Sequence, residues 1–277
     1  MPVLRVARHG ATAILTLHRP AQRNALNDEL RAALAGAISA LQADAGVRSV
    51  VITGAGDHFC AGGDLKELQR LAPSEGGLGF HTRERLQALQ RWLLDLVALE
   101  KPVIAAVGGA ASGAGLSLAL AADFIIAAPD ARLCASFGRV ALVPDAGAMY
   151  LLPRRVGLAQ AKDMVFSGRT VQAEQALAMG LVQRVKADPL QAALAYAASF
   201  HGAAPQAIGL AKSIMNRTWE SSLEQVLATE ALAQAVCRQS PAHQDTLAAM
   251  KSGYAVTPGS FEDFADLIVP ELQVRGR

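Results

Sequence analysis

Residues 101–122, KPVIAAVGGAASGAGLSLALAA, constrain the fold more than any other stretch of the chain. A short apolar run (102–107) passes through a crowd of small residues, Gly108, Gly109, Ala110, Ala111, Ser112, Gly113, Ala114 and Gly115, into an Ala/Leu run of helical character. That order reads as a buried strand, a tight turn and the start of a helix. The first turn of a helix carries peptide N–H groups without intrahelical partners, and side chains this small let another molecule approach that backbone. Such a turn can hold an anion or a developing oxyanion.

The same plan occurs once before. Residues 47–51 (VRSVV) lead through Thr53-Gly54-Ala55-Gly56 and Cys60-Ala61-Gly62-Gly63 into Asp64-Leu65-Lys66-Glu67-Leu68, where Asp64 has the side chain of an N-cap. Two strand–glycine–helix units in one domain can aim two backbone donors at one oxygen atom. Close packing of the backbone is the other account of these glycines. No Lys-Ser or Lys-Thr follows them as a phosphate loop requires, and neither stretch completes a GxGxxG. The surroundings of Ser112 fail the GxSxG pattern of a serine-hydrolase elbow.

With 52% hydrophobic and 18% charged residues over 277 positions, the chain can fill a substantial core. A net charge of +2 gives no whole-molecule attraction to nucleic acid or membranes, so an anionic ligand must be met locally. Cys60, Cys134 and Cys237 are widely spaced with no CxxC pair. They fit neither a disulfide framework nor a zinc site, and no metal site is expected. The N-terminus lacks a signal-peptide pattern, and no run reaches the roughly 18 apolar residues of a membrane span. A soluble cytoplasmic protein is expected.

Along the chain, residues 3–7 and 11–17 read as paired strands, and Asn27-Asp28 can cap a helix to about 45 with Leu30, Leu34, Ile38 and Leu41 on one face. His18 is read as a solvated strand-end side chain. Helices are expected over 65–71 and 82–99, the latter with a stripe of Leu86, Leu89, Leu93 and Leu96 and with Trp92 in the core. Residues 72–79, with one proline and three glycines, read as a loop between them. Strands are expected at 124–127, 131–134 and 181–185, with helices at 158–166 and 173–178. From Pro189 the character is helical throughout: 190–201, 205–218, 222–238 and 241–251. The expected fold class is α/β, with an α/β core over 1–188 and an α-helical layer and tail over 189–277.

Between these parts an apolar run ends in Pro144-Asp145-Ala146-Gly147. A carboxylate in such a setting is pushed toward its neutral form, a useful state for a proton shuttle. Asp145 is equally placed to cap a helix beginning near Ala146.

Together, residues 59–65 (FCAGGDL), residues 102–123 (PVIAAVGGAASGAGLSLALAAD) and Asn24-Ala25-Leu26-Asn27 resemble the enoyl-CoA hydratase/isomerase (crotonase) superfamily over about residues 3–250. The resemblance implies a crotonase-like spiral of ββα units with a C-terminal α-helical trimerisation layer. The protein would be a homotrimer, or a hexamer as a dimer of trimers. The substrate would be an acyl-CoA thioester, with coenzyme A entering as part of it and no cofactor bound permanently. It implies that the N–H groups of Ala61 and Ala114 hold the thioester carbonyl. The acyl-CoA would lie against Arg23, Ala25, Ala61, Gly62, Gly63, Asp64, Leu65, Gly113, Phe137 and Lys251. A solvated arginine is the other reading of Arg23. Arg275 and Arg277 are further phosphate candidates, and the loop at 72–79 would gate the acyl pocket unless it is only surface chain. The ending, 253–277, departs from the usual family pattern.

Where hydratases of this family carry two glutamates, this chain has Ser117 and Phe137. Asp145 stands where several isomerases place their single acid. The stretches AGLSLALAAD and VPDAGAMYLLPRRVG resemble the ring-epoxide isomerase branch of phenylacetyl-CoA degradation, with Ala148 where a second glycine is usual. A dehalogenase would need a histidine that 82–99 lacks. The expectation is therefore an isomerase using Asp145. The alternatives are a hydratase adding water to a 2-enoyl-CoA, and a CoA-ester-binding protein without turnover.

Overall fold

The middle of the first part of the chain repeats one plan, a strand in a large sheet, a second in a small sheet, and then a helix. In the computed structural model, which describes residues 1–70 and 78–251, the large sheet has the order β1-β2-β3-β4-β6-β9 and the small one β5-β7-β8. β1 (Leu4–His9) and β2 (Thr12–Leu17) form an antiparallel hairpin, with Leu4 opposite Leu17. From β2 onward the large sheet is parallel, through β3 (Ser49–Gly54), β4 (Val103–Val107), β6 (Phe124–Ala127) and β9 (Arg184–Val185). β4 is buried at every position, as a parallel strand covered on both faces must be, which is why its sequence is an unbroken apolar run. β5 (Ala110–Ser112), β7 (Arg132–Cys134) and β8 (Thr170–Gln172) make the small sheet.

The helices interleave with these strands. α1 (Asp28–Ala43) starts at Asn27, whose Oδ1 accepts from Leu30 N at 2.9 Å, and buries Leu30, Leu34, Ile38 and Leu41. Each such side chain contributes about 1.5–3 kcal/mol by leaving water. α2 (Leu65–Arg70) and α3 (Leu78–Ala98) follow β3. α4 (Ala114–Leu120) follows β5 and is buried along its whole length. α5 (Ala148–Val156), α6 (Leu158–Ser167) and α7 (Ala173–Ala178) complete the core. The pairs β4–β5–α4 and β6–β7–α5 are ββα units, and before them Cys60 makes a single parallel bridge to Ala111 as a vestige of the same second strand. The architecture is α/β, the expected spiral of ββα units.

α3 begins at Leu78, four residues ahead of the expected start, so Leu78 and Gly79 are helical while 71–77 of the expected loop lie outside the described residues. Trp92, Leu93 and Leu96 are buried, and Trp92 is a core residue as expected. The last strand is shorter than expected: Leu181 and Val182 are buried connection, and only Arg184–Val185 pairs.

α8 (Pro189–Ser199) begins where the sequence turns helical, and the chain divides into compact units within it, at Ala197. In the second unit α9 (Pro205–Met215), α10 (Leu223–Gln239) and α11 (Pro241–Lys251) follow one another, with α10 packed on both neighbours. A capping box starts α10: Ser222 Oγ accepts from Gln225 N at 3.2 Å and Gln225 Oε1 from Ser222 N at 2.9 Å. α10 buries none of its residues and leaves Leu223, Leu227, Leu232 and Val236 exposed. Lys251 ends α11, and its side chain, with Arg275 and Arg277, lies outside the described residues. Among the described residues no helix is long and apolar enough to cross a membrane.

Candidate active site

The two glycine-rich turns lock together main chain to main chain. Phe59 N donates to Gly108 O at 2.8 Å, Cys60 N to Ala110 O at 3.0 Å, and Ser112 N back to Cys60 O at 3.0 Å. A β-carbon on Gly115 would stand 2.2 Å from Cys60 O. One on Gly62, whose φ is +104°, would stand 2.7 Å from Ser112 O and 3.5 Å from Ala114 N. Only residues without side chains allow this approach. Close packing and ligand approach, offered by the sequence as alternatives, are here one arrangement.

Ala114 is the first residue of α4, so its N–H has no intrahelical acceptor and is available to a ligand. The expectation for Ala61 needs correction: its N–H donates to Arg23 O at 2.9 Å and is already used. The available amide on that turn is two residues later. Leu26 and Gly63 form a parallel bridge in which Leu26 N donates to Gly62 O at 2.7 Å and Asp64 N to Leu26 O at 3.2 Å. In a parallel bridge these bonds flank the bridging residue, whose own N–H faces away from the partner segment. Gly63, not Ala61, therefore offers the donor. The signal that separates them is the pairing of 23–26 with 61–64, which local sequence does not carry.

That pairing is held by Asn24, which is fully buried. Its Oδ1 accepts from Arg19 N at 2.9 Å, and its Nδ2 donates to Ala55 O at 2.9 Å and His58 O at 2.7 Å. Arg23 and Asn24 both sit at positive φ, 49° and 55°. The bonds of Asn24 offset a conformation that costs non-glycine residues of order 1 kcal/mol each. The arrangement leaves the Arg23 side chain exposed at the edge of the turn, while Ala25 beside it is buried.

Asp64 is committed to the fold rather than free for a ligand. Its Oδ1 accepts from Lys66 N at 3.0 Å, as an N-cap of α2, and its Oδ2 accepts from Arg19 Nη2 at 2.9 Å. Burial pushes its carboxyl up, but Arg19 and the helix amides outweigh that and hold it below the usual range. Cys60 is no nucleophile: burial pushes its thiol up to about 12.

Asp145 lies between a short 3₁₀ turn, Ser136–Val140, and α5. The helix-cap reading fails, because α5 starts from Gly147 with no side-chain cap. The carboxyl is instead half-buried, and its Oδ1 has no hydrogen-bond partner. Burial raises its pKa above the ordinary carboxylate value, opposed by the positive charge of Arg31. Arg31, on α1, is a residue the sequence reading missed. Its guanidinium pairs with Asp28 at 2.9 Å and Glu67 at 3.8 Å, while its Nε is buried without a partner.

Ser117 and Phe137, the positions of the two glutamates in hydratases, are both buried and carry no carboxylate. Phe137 lies in the core within reach of Gly113, 4.0 Å from an ideal β-carbon there. Ser117 Oγ donates to Asp145 O at 3.0 Å and lies 3.3 Å from Gly113 O. Leu65, the first residue of α2, is described in its main chain only. Among the described residues no group of three or more His, Cys, Asp or Glu side chains could hold a metal ion.

Interlocked turns with free main-chain amides, and one partly buried acid whose main chain is bonded by Ser117 of α4, suit an acyl thioester, whose carbonyl oxygen gains charge when a neighbouring proton leaves. The comparisons with known proteins agree. The family described as enoyl-CoA hydratase/isomerase matches residues 7–252. A probable enoyl-CoA hydratase of Mycobacterium tuberculosis, EchA14, is 42% identical over 217 residues, covering 78% of this chain and 81% of its own. The 1,2-epoxyphenylacetyl-CoA isomerase of Escherichia coli is 37% identical over 220 residues, covering 78% and 82%. The crystal structure of an enoyl-CoA hydratase from Polaromonas sp. JS666 superposes with a TM-score of 0.83 at 36% identity, covering 91% of this chain and 97% of that one. With its ββα spiral and paired turns, this chain belongs to the enoyl-CoA hydratase/isomerase family and is an acyl-CoA enzyme of the crotonase superfamily.

Proposed function

We propose that the protein is an isomerase that moves a proton along an acyl-CoA, or opens a ring epoxide on one, with Asp145 as its acid and base. The observation that carries this reading is the half-buried Asp145 carboxyl with an unpartnered Oδ1, at a site where residues 117 and 137 supply no second carboxylate. One carboxylate suffices for a 1,3 shift: it takes a proton from one end of the allyl system and returns it at the other. Hydration also needs water activated. The enolate oxygen would be held by the N–H groups of Gly63 and Ala114, each such donor contributing on the order of 3 kcal/mol in comparable sites. Arg23, exposed beside the turn, is assigned to the CoA phosphates, and Lys251 is a further candidate for them.

A homotrimer belongs to the same reading and is supported by α10, which among the described residues leaves large apolar side chains exposed at Leu223, Leu227, Leu232 and Val236, a surface a second copy would cover. Free thiols at Cys60, Cys134 and Cys237 agree with a reducing, cytoplasmic setting.

Incubation with 2-enoyl-CoA and 3-enoyl-CoA in deuterated water tests the assignment. Interconversion of the two with deuterium uptake and no hydroxyacyl product is expected. Hydroxyacyl product would assign a hydratase, the activity named for EchA14. Tight binding with neither reaction would assign a CoA-ester carrier.

A further inference from the structure

We infer that Ser117 is a positioning residue for the reaction: its hydroxyl ties the main chain of the Asp145 loop to the helix that carries the Ala114 donor. The inference rests on the assignment of Asp145 as the proton-transferring group.

Ser117 is completely buried and lies one turn into α4, three residues after Ala114. Serines inside helices ordinarily bond the carbonyl four residues back, which here is Gly113 O at 3.3 Å. The shorter contact, 3.0 Å, is to Asp145 O, 28 positions along the chain. A hydroxyl has one proton, and of its two carbonyl acceptors Asp145 O is the nearer. Among the described residues outside the loop, Ser117 is the one whose side chain is seen to bond the main chain of residues 144–147.

That loop needs a hold. Ala146 has a φ of 49° and Gly147 of 78°, and an alanine in this region costs of order 1 kcal/mol. Asp145 O also accepts from Ala148 N at 3.1 Å, so the one carbonyl collects the start of α5 and the hydroxyl of α4. Its own side chain makes no compensating bond through Oδ1. Packing of α5 on α4 and the burial of Ala146 and Ala148 bring the loop against the helix, and the Ser117 hydroxyl adds the directed polar contact between the acid's main chain and the element that carries Ala114. Where hydratases of the family carry a glutamate that does chemistry, this chain carries a hydroxyl that holds another residue's chemistry in place.

The test measures kcat, KM and the pH profile of wild type, Ser117→Ala, Ser117→Cys and Asp145→Asn with trans-3-hexenoyl-CoA in deuterated water. Ser117→Ala is expected to lose about 10- to 100-fold in kcat, the effect of a misplacement near 1 Å. KM should stay within about twofold, since the groups that bind the CoA are untouched. The acidic limb should move to lower pH as the released carboxyl gains solvent. The charged group that faces Asp145 among the described residues, Arg31 on α1, is unchanged in all variants. Ser117→Cys fills the site with a slightly larger, weakly donating thiol, should fall between, and serves if the alanine variant does not fold.

A Ser117→Ala enzyme with wild-type kcat and an unmoved limb would overturn the inference. So would a loss of activity that only tracks the folded fraction. If Asp145→Asn still exchanges the α-proton, the assignment of Asp145 itself fails. If that variant is dead while Ser117→Ala matches wild type, only the role of Ser117 fails.

Discussion

The carbonyl oxygen of Cys60 stands 2.2 Å from where a β-carbon on residue 115 would be. A real side chain cannot sit there, so Gly115→Ala must push the first turn away from α4. Overpacking of this kind costs about 1–3 kcal/mol. Thermal melting is expected to show that loss, and proton exchange in the surviving folded protein should fall as well, because the same shift separates Gly63 from Ala114.

Asp145→Asn removes the one acid assigned to the chemistry while keeping its shape. Turnover should fall by about 10²- to 10⁴-fold, the usual contribution of a general acid–base group. Affinity for a CoA ester, read by calorimetry, should survive, because the assigned contacts to CoA lie on other elements. Unchanged turnover removes Asp145 from the mechanism.

The raised pKa of Asp145 fixes two signs. As a base it must be ionised, so the acidic limb of kcat/KM should lie above the ordinary aspartate value of about 3.9. Arg31→Gln deletes the charge that opposes this rise and should move the limb to still higher pH. For stability, the folded chain keeps a proton that the unfolded chain has released between the two pKa values. Stability should therefore fall as pH rises through that window, and Asp145→Asn should flatten this part of the curve. Denaturant titrations across the acid range measure it.

Asn24→Ala strips three hydrogen bonds from a fully buried position and leaves the Ala55 and His58 carbonyls without that donor. A destabilisation of about 2–4 kcal/mol is expected in urea unfolding. A value near zero would mean that residues 23 and 24 hold their left-handed conformation unaided.

Arg23→Gln should weaken binding of a CoA ester by about tenfold, in line with a lost charge-assisted hydrogen bond. The same acyl group on pantetheine, which lacks the nucleotide phosphates, should bind wild type and variant alike. Equal losses for both ligands would move Arg23 from the phosphates to the turn itself.

Local sequence determined much of this protein. Small residues after the Val-rich stretch at 47–51 and the apolar run at 102–107 announced strand–turn–helix units, because only such residues let main chains meet. Asn27 and Asp64 were legible as helix caps, and the unbroken apolar β4 as a strand covered on both faces. Other features depended on contacts between distant segments. Which amide of the first turn is free was decided when Arg23–Leu26 paired with the 61–64 segment, consuming Ala61 and releasing Gly63. That Asp145 leaves its Oδ1 without a partner rather than capping a helix, that the charge of Arg31 reaches it, and that Ser117 bonds its carbonyl were decided by where α1 and α4 lie relative to the loop. Hydrogen bonds and charges act through space, so the sequence could name the groups while only the packed chain could assign their partners.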